Sequence, residues 1–141
     1  MGTGAAFSAD SKIYLALCVV VEPELTRVLL KGVLRDRAEP AVQTRYRIVK
    51  FFTPARLALV ECRIQQGKKH QIRRHLASVG MPIVGDVVHG GAACIRPFIR
   101  RVALHALSIS FVHPKTDAKI CVTAPLPDDF QQALKTLNGQ K

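Results

Sequence analysis

An apolar run near the N-terminus constrains the fold more than any other feature of this sequence. Nine consecutive residues, from Ile13 to Val21, are aliphatic, aromatic or cysteine, with neither Gly nor Pro among them. Because β-branched and aromatic residues favour pleated structure, the run predicts a largely buried strand over 12–21, central in a sheet. Glu22 and Pro23 end the run far short of the roughly 18 apolar residues that a membrane-spanning helix needs, so no such helix is expected.

Alternating apolar residues and turn residues predict further strands. A hairpin is expected around Thr53-Pro54, because strand-like segments flank this turn on both sides. A second pair of strands is expected to be joined across 113–117. The predicted ranges are a short strand within 27–43, followed by strands over 44–52, 56–65, 102–111 and 119–123.

Two amphipathic helices are predicted where the hydrophobic period changes. Ile72, Leu76 and Val79 recur at i, i+4 and i+7, which predicts a helix over 70–79 that stops at the following glycine. A closing helix is predicted over 128–137, again from apolar residues that recur at helical spacing.

Composition is typical of a globular chain with one core. A length of 141 residues suits one domain, and 48% hydrophobic residues with a mean hydropathy of +0.14 argue against intrinsic disorder. With no repeat, linker or low-complexity tract, we expect one α+β domain over 1–141, an antiparallel-rich mixed sheet with a few flanking helices, poorly ordered at 1–11. The N-terminal residues lack the pattern of a secretory signal, so a cytoplasmic location is expected, or an organelle matrix.

The charge balance points to a polyanionic partner. Lysine and arginine number 21 against 10 acidic residues, a formal net charge of +11. No acidic residue lies between Glu61 and Asp86, a segment that contains five lysines and arginines. Clustered cations of this kind indicate a facing anion, and nucleic acid is the leading candidate. A basic surface that serves only solubility is the alternative.

Neither cysteines nor histidines predict a metal site. The cysteines form no Cys-x-x-Cys pair, which favours buried free thiols over a zinc or redox motif. His70 and His75 are five residues apart, so on a helix they would not share a face. We therefore expect no metal. The cysteines are Cys18, Cys62, Cys94 and Cys121.

The predicted helix that begins near residue 70 carries an unusual charge pattern. On a helical wheel Lys69 and Arg73 form an i, i+4 pair of like charges near the N-terminal end, where the helix dipole favours acids. Gly67 would let backbone amides approach a phosphate closely. Arg73 borders the apolar face beside Leu76, where a bidentate carboxylate or phosphate would hold its guanidinium. Arg73 is therefore a candidate site residue, although a basic but ordinary surface helix remains the alternative.

These same residues resemble a known family. Residues 66–77 and 80–86, which read QGKKHQIRRHLA and GMPIVGD, resemble the Gly-Arg-x-His-Gln-Ile-Arg and Gly-x-Pro-Ile-x-Gly-Asp signature of the RluA-type pseudouridine synthases. The doubled basic pairs are most similar to the branch that modifies tRNA. Further motifs occur in the family's order, namely Lys12-x-Tyr14-x-Ala16-Leu17, Leu104-His105-Ala106, Phe111-x-His113-Pro114-x-Thr116 and Ala124-Pro125-Leu126-Pro127-x-Asp129-Phe130.

The resemblance implies an enzyme that isomerises uridine in RNA. Such an enzyme breaks the N1 glycosidic bond, turns the uracil and rejoins it through C5, with no metal or organic cofactor, on a base that leaves its stack. Tyr14 would pack against the uracil and take part in proton transfer at C5, and Arg73 would pair with the catalytic aspartate. RNA contacts are expected from Lys68, Lys69, His70 and Arg74. Arg101 is a further candidate for RNA contact, and solvation of a loop is its alternative role.

One departure from the family pattern concerns that aspartate. The family carries it in a His-Arg-Leu-Asp motif upstream of the Lys-x-Tyr strand, and this sequence does not contain the motif. Asp10 lies too close to Lys12 to replace it, Asp36 falls in a predicted loop, and Asp86 is expected to serve in a turn or helix cap. We therefore expect the chain to be the C-terminal portion of a catalytic domain, inactive on its own.

Three functions stay open on the sequence. The chain could belong to an RNA-modifying enzyme, or it could be a catalytically inactive RNA-binding module or assembly factor that binds in a salt-dependent way. It could also pair with another polypeptide that supplies the rest of its sheet. Absence of the N-terminal half of such a domain would expose sheet edges, so self-association is expected in this third case.

Overall fold

A six-stranded sheet forms the centre of the computed structural model, which describes residues 11–21, 30–65 and 67–139. The strand order is β2-β3-β4-β1-β5-β6, and every pairing is antiparallel. With few helices beside this sheet, the predicted α+β class is confirmed. The strands are β1 Ser11–Val19, β2 Lys31–Arg35, β3 Gln43–Phe52, β4 Leu57–Ile64, β5 Leu104–Val112 and β6 Lys119–Thr123; the helices are α1 Gln71–Ser78, α2 Val87–Gly90 and α3 Asp128–Asn138.

The apolar run forms the strand that the sequence predicts. β1 pairs with β4 on one side and β5 on the other, and Ala16, Leu17 and Cys18 are completely buried. Burial of consecutive residues means that both faces of β1 are covered here, which is why the run shows no polar alternation. Within the described residues no helix has the length and apolarity to span a membrane.

The predicted hairpin is formed by β3 and β4. A 3-10 turn over Thr53–Ala55 joins the strands, and Arg56 closes it with a left-handed backbone at φ 55°. One extra residue in β3 shifts the register between Ile48 and Lys50. The outer strands β2 and β6 are the edges of the sheet, and self-association through them stays a prediction.

One face of the sheet packs against α1. On the opposite face Leu17 and Leu57 are buried, whereas the part formed by β2, β3 and the end of β4 is exposed at Lys31, Arg45 and Arg63. Thr44 on β3 is buried and contacts α1, whereas its neighbour Arg45 is exposed. Because successive side chains alternate across a strand, every second residue of β3 and β4 lies on the α1 side. α1 and Tyr14 therefore share one face.

Two sequence predictions are corrected by the structure. α1 begins at Gln71, preceded by His70 in a left-handed conformation at φ 53°, so Lys69 lies in a turn outside the helix. The like-charge pair of Lys69 and Arg73 is therefore not a pair along one helix. Buried thiols are found at Cys18, Cys62 and Cys94, but Cys121 on the edge strand β6 is exposed.

Candidate functional site

A cavity of about 310 Å³ lies between β1, the loop after β4 and the start of α1. Tyr14 and Arg73 both line it, and so do Lys12, Lys68 and His70. The volume is at the lower end of the range of pockets that hold small organic ligands. Two residues separated by 59 positions in the chain, and chosen from sequence for one site, are thus brought to the same pocket.

Tyr14 lies next to an irregularity in the sheet. It faces Cys62 on β4 and Ala106 on β5, and the pairing with β5 shifts between Ile13 and Tyr14, which leaves Leu107 as an extra residue. Such bulges bend a strand locally and redirect side chains, and they are common beside functional sites. The bulge therefore lies at the point of the sheet from which Tyr14 enters the cavity.

Asp86 holds Arg73 in a fixed orientation. Arg73 Nε donates to Asp86 Oδ2 at 3.0 Å and Arg73 Nη2 donates to Oδ1 at 2.8 Å, while the Asp86 side chain is 0% exposed. The same carboxylate accepts from the backbone N–H of His89 and caps α2, as the sequence predicts for this residue. Burial by itself raises the pKa of Asp86, but Arg73 and the His89 amide outweigh this and hold the pKa below its ordinary value.

Two histidines extend this network. Nη1 of Arg73 lies 3.1 Å from Nε2 of His70, and Nδ1 of His70 lies 3.1 Å from Nε2 of His89. A guanidinium can only donate, so His70 accepts at Nε2, carries its hydrogen on Nδ1 and donates it to His89. Burial, followed by the nearby charges of Arg73, His89 and Lys69, lowers the pKa of His70, while Asp86 opposes them. The arrangement thus favours neutral His70.

Lys12 is a cavity residue that the sequence reasoning did not assign to the site. A Cβ added to Gly67 would stand 3.1 Å from Nζ of Lys12, so the glycine leaves space for this ammonium. Gly67 therefore leaves space for the Lys12 side chain. The approach of a phosphate to the Gly67 backbone stays a prediction. The signal was available, because Lys12 and Tyr14 are two apart on a strand and hence share a face.

Buried polar residues fix α1 to the sheet. Gln71 is 2% exposed; it accepts from the Lys68 amide at 3.2 Å and donates to Gln43 O at 2.9 Å and Thr44 Oγ1 at 3.3 Å. Thr44 Oγ1 in turn lies 2.7 Å from Nδ1 of His75. Since each buried group has a partner, this chain of hydrogen bonds sets the position of the helix that carries Arg73.

Asp36, in the loop after β2, is the last member of this series of hydrogen bonds. Its Oδ1 accepts from Nη1 of Arg74 at 2.9 Å and lies 2.6 Å from Nε2 of His75. The hydrogen bonds from Arg74 and then His75 lower the pKa of Asp36. Arg74, predicted to contact RNA, is therefore already paired with a carboxylate.

The other predicted RNA contacts are distributed unevenly. Lys68 and Lys69 are exposed beside the cavity. Arg101 does not line it, and its guanidinium pairs with Asp129 at 2.8 and 3.0 Å on a part of the surface where both side chains are about 40% exposed. The structure thus brings Tyr14, Arg73, Lys68 and His70 together, whereas Arg101 is elsewhere. Among the described residues no group of three or more His, Cys, Asp or Glu side chains could hold a metal ion.

Comparison with known proteins identifies relatives. A family model described as RNA pseudouridylate synthase matches residues 9–78. Ribosomal large subunit pseudouridine synthase D of Xanthomonas campestris is 41% identical over 120 residues, covering 77% of this chain and 35% of that protein. tRNA pseudouridine synthase C of Vibrio cholerae is 31% identical over 135 residues, covering 86% of this chain and 55% of that protein. An uncharacterised RNA pseudouridine synthase of Bacillus subtilis is 39% identical over 105 residues, covering 72% and 34%.

Solved structures show the same fold. The human RNA pseudouridylate synthase domain containing 4 superimposes with a TM-score of 0.68 at 21% identity, over 92% of this chain and 62% of that chain. The chain spans between 34% and 55% of the length of the three relatives described above.

Proposed function

Because the chain belongs to the RluA-type pseudouridine synthase family, we propose that it forms the uridine-binding part of an enzyme that converts uridine to pseudouridine in RNA. The relatives named above include enzymes of ribosomal RNA and of tRNA, and we propose one of these two classes as the substrate. Residues 1–141 would act as one domain, the C-terminal part of a catalytic domain, in the cytoplasm or an organelle matrix.

The observation that carries the proposal is the shared cavity of Tyr14 and Arg73. An extruded uracil needs a flat apolar surface and polar groups at its edge, and the Tyr14 ring with Lys12 and Arg73 supplies both. In the reaction the bond from C1′ of the ribose to N1 breaks and a bond from C1′ to C5 forms. The hydrogen on C5 leaves as a proton and N1 gains a proton, and we assign to Tyr14 the role of assisting the transfer at C5.

Neither of the two aspartates near α1 is available to attack the sugar. Asp86 is completely buried under Arg73, and Asp36 is paired with Arg74 and His75. Asp10, the third aspartate considered from sequence, lies outside the described residues. The reaction therefore needs a carboxylate other than Asp36 and Asp86.

The lack of an available carboxylate at Asp36 and Asp86 also favours a second candidate, an RNA-binding module without catalysis. In this case Arg73 stays paired with Asp86, and Lys68 and Lys69 hold RNA without turnover. Such a module would bind with strong salt dependence, because binding of phosphates releases counterions.

Tritium release from RNA that carries tritium at C5 of uridine separates the two candidates. Turnover requires that further carboxylate, so it is expected from the protein that contains residues 1–141 together with it. Release should fall at least about a hundredfold in Tyr14→Phe, with RNA affinity retained, if the phenol assists proton transfer. Tyr46→Phe is the matched control, since Tyr46 lies on the same face of the sheet two strands away but does not line the cavity. Binding of RNA without release by that carboxylate-containing protein supports the RNA-binding module, and absence of both refutes both candidates.

A further inference from the structure

The exposed part of the sheet face opposite α1 carries a cluster of cations that the candidate site does not use. Five exposed side chains from three adjacent strands form this cluster, here called the basic face. They are Lys31 and Arg35 of β2, Arg45 and Arg47 of β3, and Arg63 of β4.

The basic face lies on the opposite side of the sheet from the cavity. Thr44 and Cys62 are buried on the α1 side, and Arg45 and Arg63 are their neighbours in sequence. Alternation along each strand therefore turns both arginines away from α1. Arg47 and Arg63 are 56% and 57% exposed, so their charged groups reach solvent.

Like charges face one another across the strands. Arg45 pairs in register with Arg63, and Lys31 pairs with Arg47. Directly opposed like charges destabilise an antiparallel pair, so the sheet alone gives no reason for this arrangement. Among the described residues of these three strands only Glu61 is acidic, and it is shared between Arg47 at 3.2 Å and Arg63 at 3.4 Å. The basic face therefore keeps a large positive excess.

Surface depressions adjoin the basic face and the cavity. A depression of about 550 Å³ is lined by Lys31, Arg45, Arg47 and Arg63. A second depression, of about 350 Å³ at the end of the strands, shares Arg45 and Arg63 with the first. It also shares Ile64 with the cavity of Tyr14 and Arg73. The three concavities therefore adjoin one another around the end of β3 and β4.

We propose that the basic face binds the phosphates of the RNA strand whose uridine occupies the cavity, so that the strand passes over the end of the sheet. The proposal rests on the proposed function for the position of the uridine. Along a strand, Arg45 and Arg47 are spaced by about 6.8 Å, and neighbouring strands are about 4.8 Å apart, so the cations form a grid that can hold several phosphates. A flexible polyanion is the partner that matches this charge and these adjoining concavities.

The salt dependence of RNA binding tests the proposal. The double variant Lys31→Gln/Arg45→Gln removes two charges that have no carboxylate partner among the described residues. With a uridine-containing single-stranded RNA, the slope of log affinity against log salt should fall by about 1.4, since each phosphate contact contributes about 0.7. Lys119→Gln/Lys135→Gln is the matched control, because both lysines are exposed and line none of the three concavities.

Equal slopes for the two double variants would refute the proposal while leaving the proposed function intact. Absence of RNA binding by the unmodified chain would refute both. A second measurement needs no variant: acetylation of lysines in the unmodified chain should become slower at Lys31 when RNA is added, but not at Lys119 or Lys135. Equal protection of all three lysines, or of none, would also overturn the assignment.

Discussion

Replacement of Asp86 by asparagine isolates the ion pair that fixes Arg73. Asparagine has nearly the same shape and keeps a side-chain oxygen for the His89 amide, so the cap of α2 is retained. What is lost is the negative charge that faces Arg73 through hydrogen bonds of 3.0 and 2.8 Å. The guanidinium is then left with little solvent, because its side chain is only 18% exposed.

The expected loss follows from this burial. Removal of one partner of a buried ion pair costs about 3–5 kcal/mol, because the remaining charge is uncompensated. The residual exposure of Arg73 lets water approach it, so we expect the lower end, about 3 kcal/mol. Asp129→Asn is the matched control, since Arg101 holds Asp129 with the same bidentate geometry at 2.8 and 3.0 Å. The side chains of Arg101 and Asp129 are both about 40% exposed, so Asp129→Asn should lower the free energy of unfolding by at most about 1 kcal/mol.

Urea unfolding monitored by circular dichroism measures both variants against the unmodified chain. The pKa of Asp86 is lower in the folded state than in the unfolded state. Ionised Asp86 therefore contributes its full share to the free energy of unfolding above the unfolded pKa of about 3.9. This contribution disappears as the pH falls through the folded pKa. The stability gap between the unmodified chain and Asp86→Asn should therefore be full at neutral pH and narrow below about pH 3.9. Equal losses in the two variants, or a gap that persists in acid, would refute the reasoning.

Two further outcomes are expected from backbone and thiol geometry. Gly85→Ala should lose roughly 3 kcal/mol or more in the same urea assay, since it combines a disfavoured backbone with overpacking. The φ of Gly85 is +85°, and the new Cβ would overlap the Arg101 carbonyl oxygen. Gly80→Ala, with φ +80° and nothing within 4 Å, should lose only about 1–2 kcal/mol, and equal losses would contradict the steric account. A thiol reagent should modify Cys121 rapidly in the folded chain and the other cysteines only on unfolding, because burial raises the pKa of Cys62 to about 12 and also raises that of Cys18. Rapid modification of more than one thiol would contradict the burial of Cys18, Cys62 and Cys94.

The limits of prediction from sequence are clearest along α1. Ile72 and Leu76 were expected in the core, and both are buried. Gln71 and His75 are also buried, although their polarity suggests a solvent-facing position. Their partners Thr44 and Asp36 lie about 30 or more residues away, so no local pattern indicates them. Asp86 was expected only to cap or turn the chain, and its second role depends on the approach of α1 to α2.

Local sequence patterns were sufficient to predict the α+β class, the central strand, the hairpin and a shared site for Tyr14 and Arg73, since periodicity and short motifs are local properties of the chain. The fold was needed to establish which carboxylate holds Arg73 and that Arg45 and Arg63 face away from the cavity. These facts depend on strand register and on contacts between distant segments. A shift of one residue in register would move every side chain of a strand to the other face of the sheet.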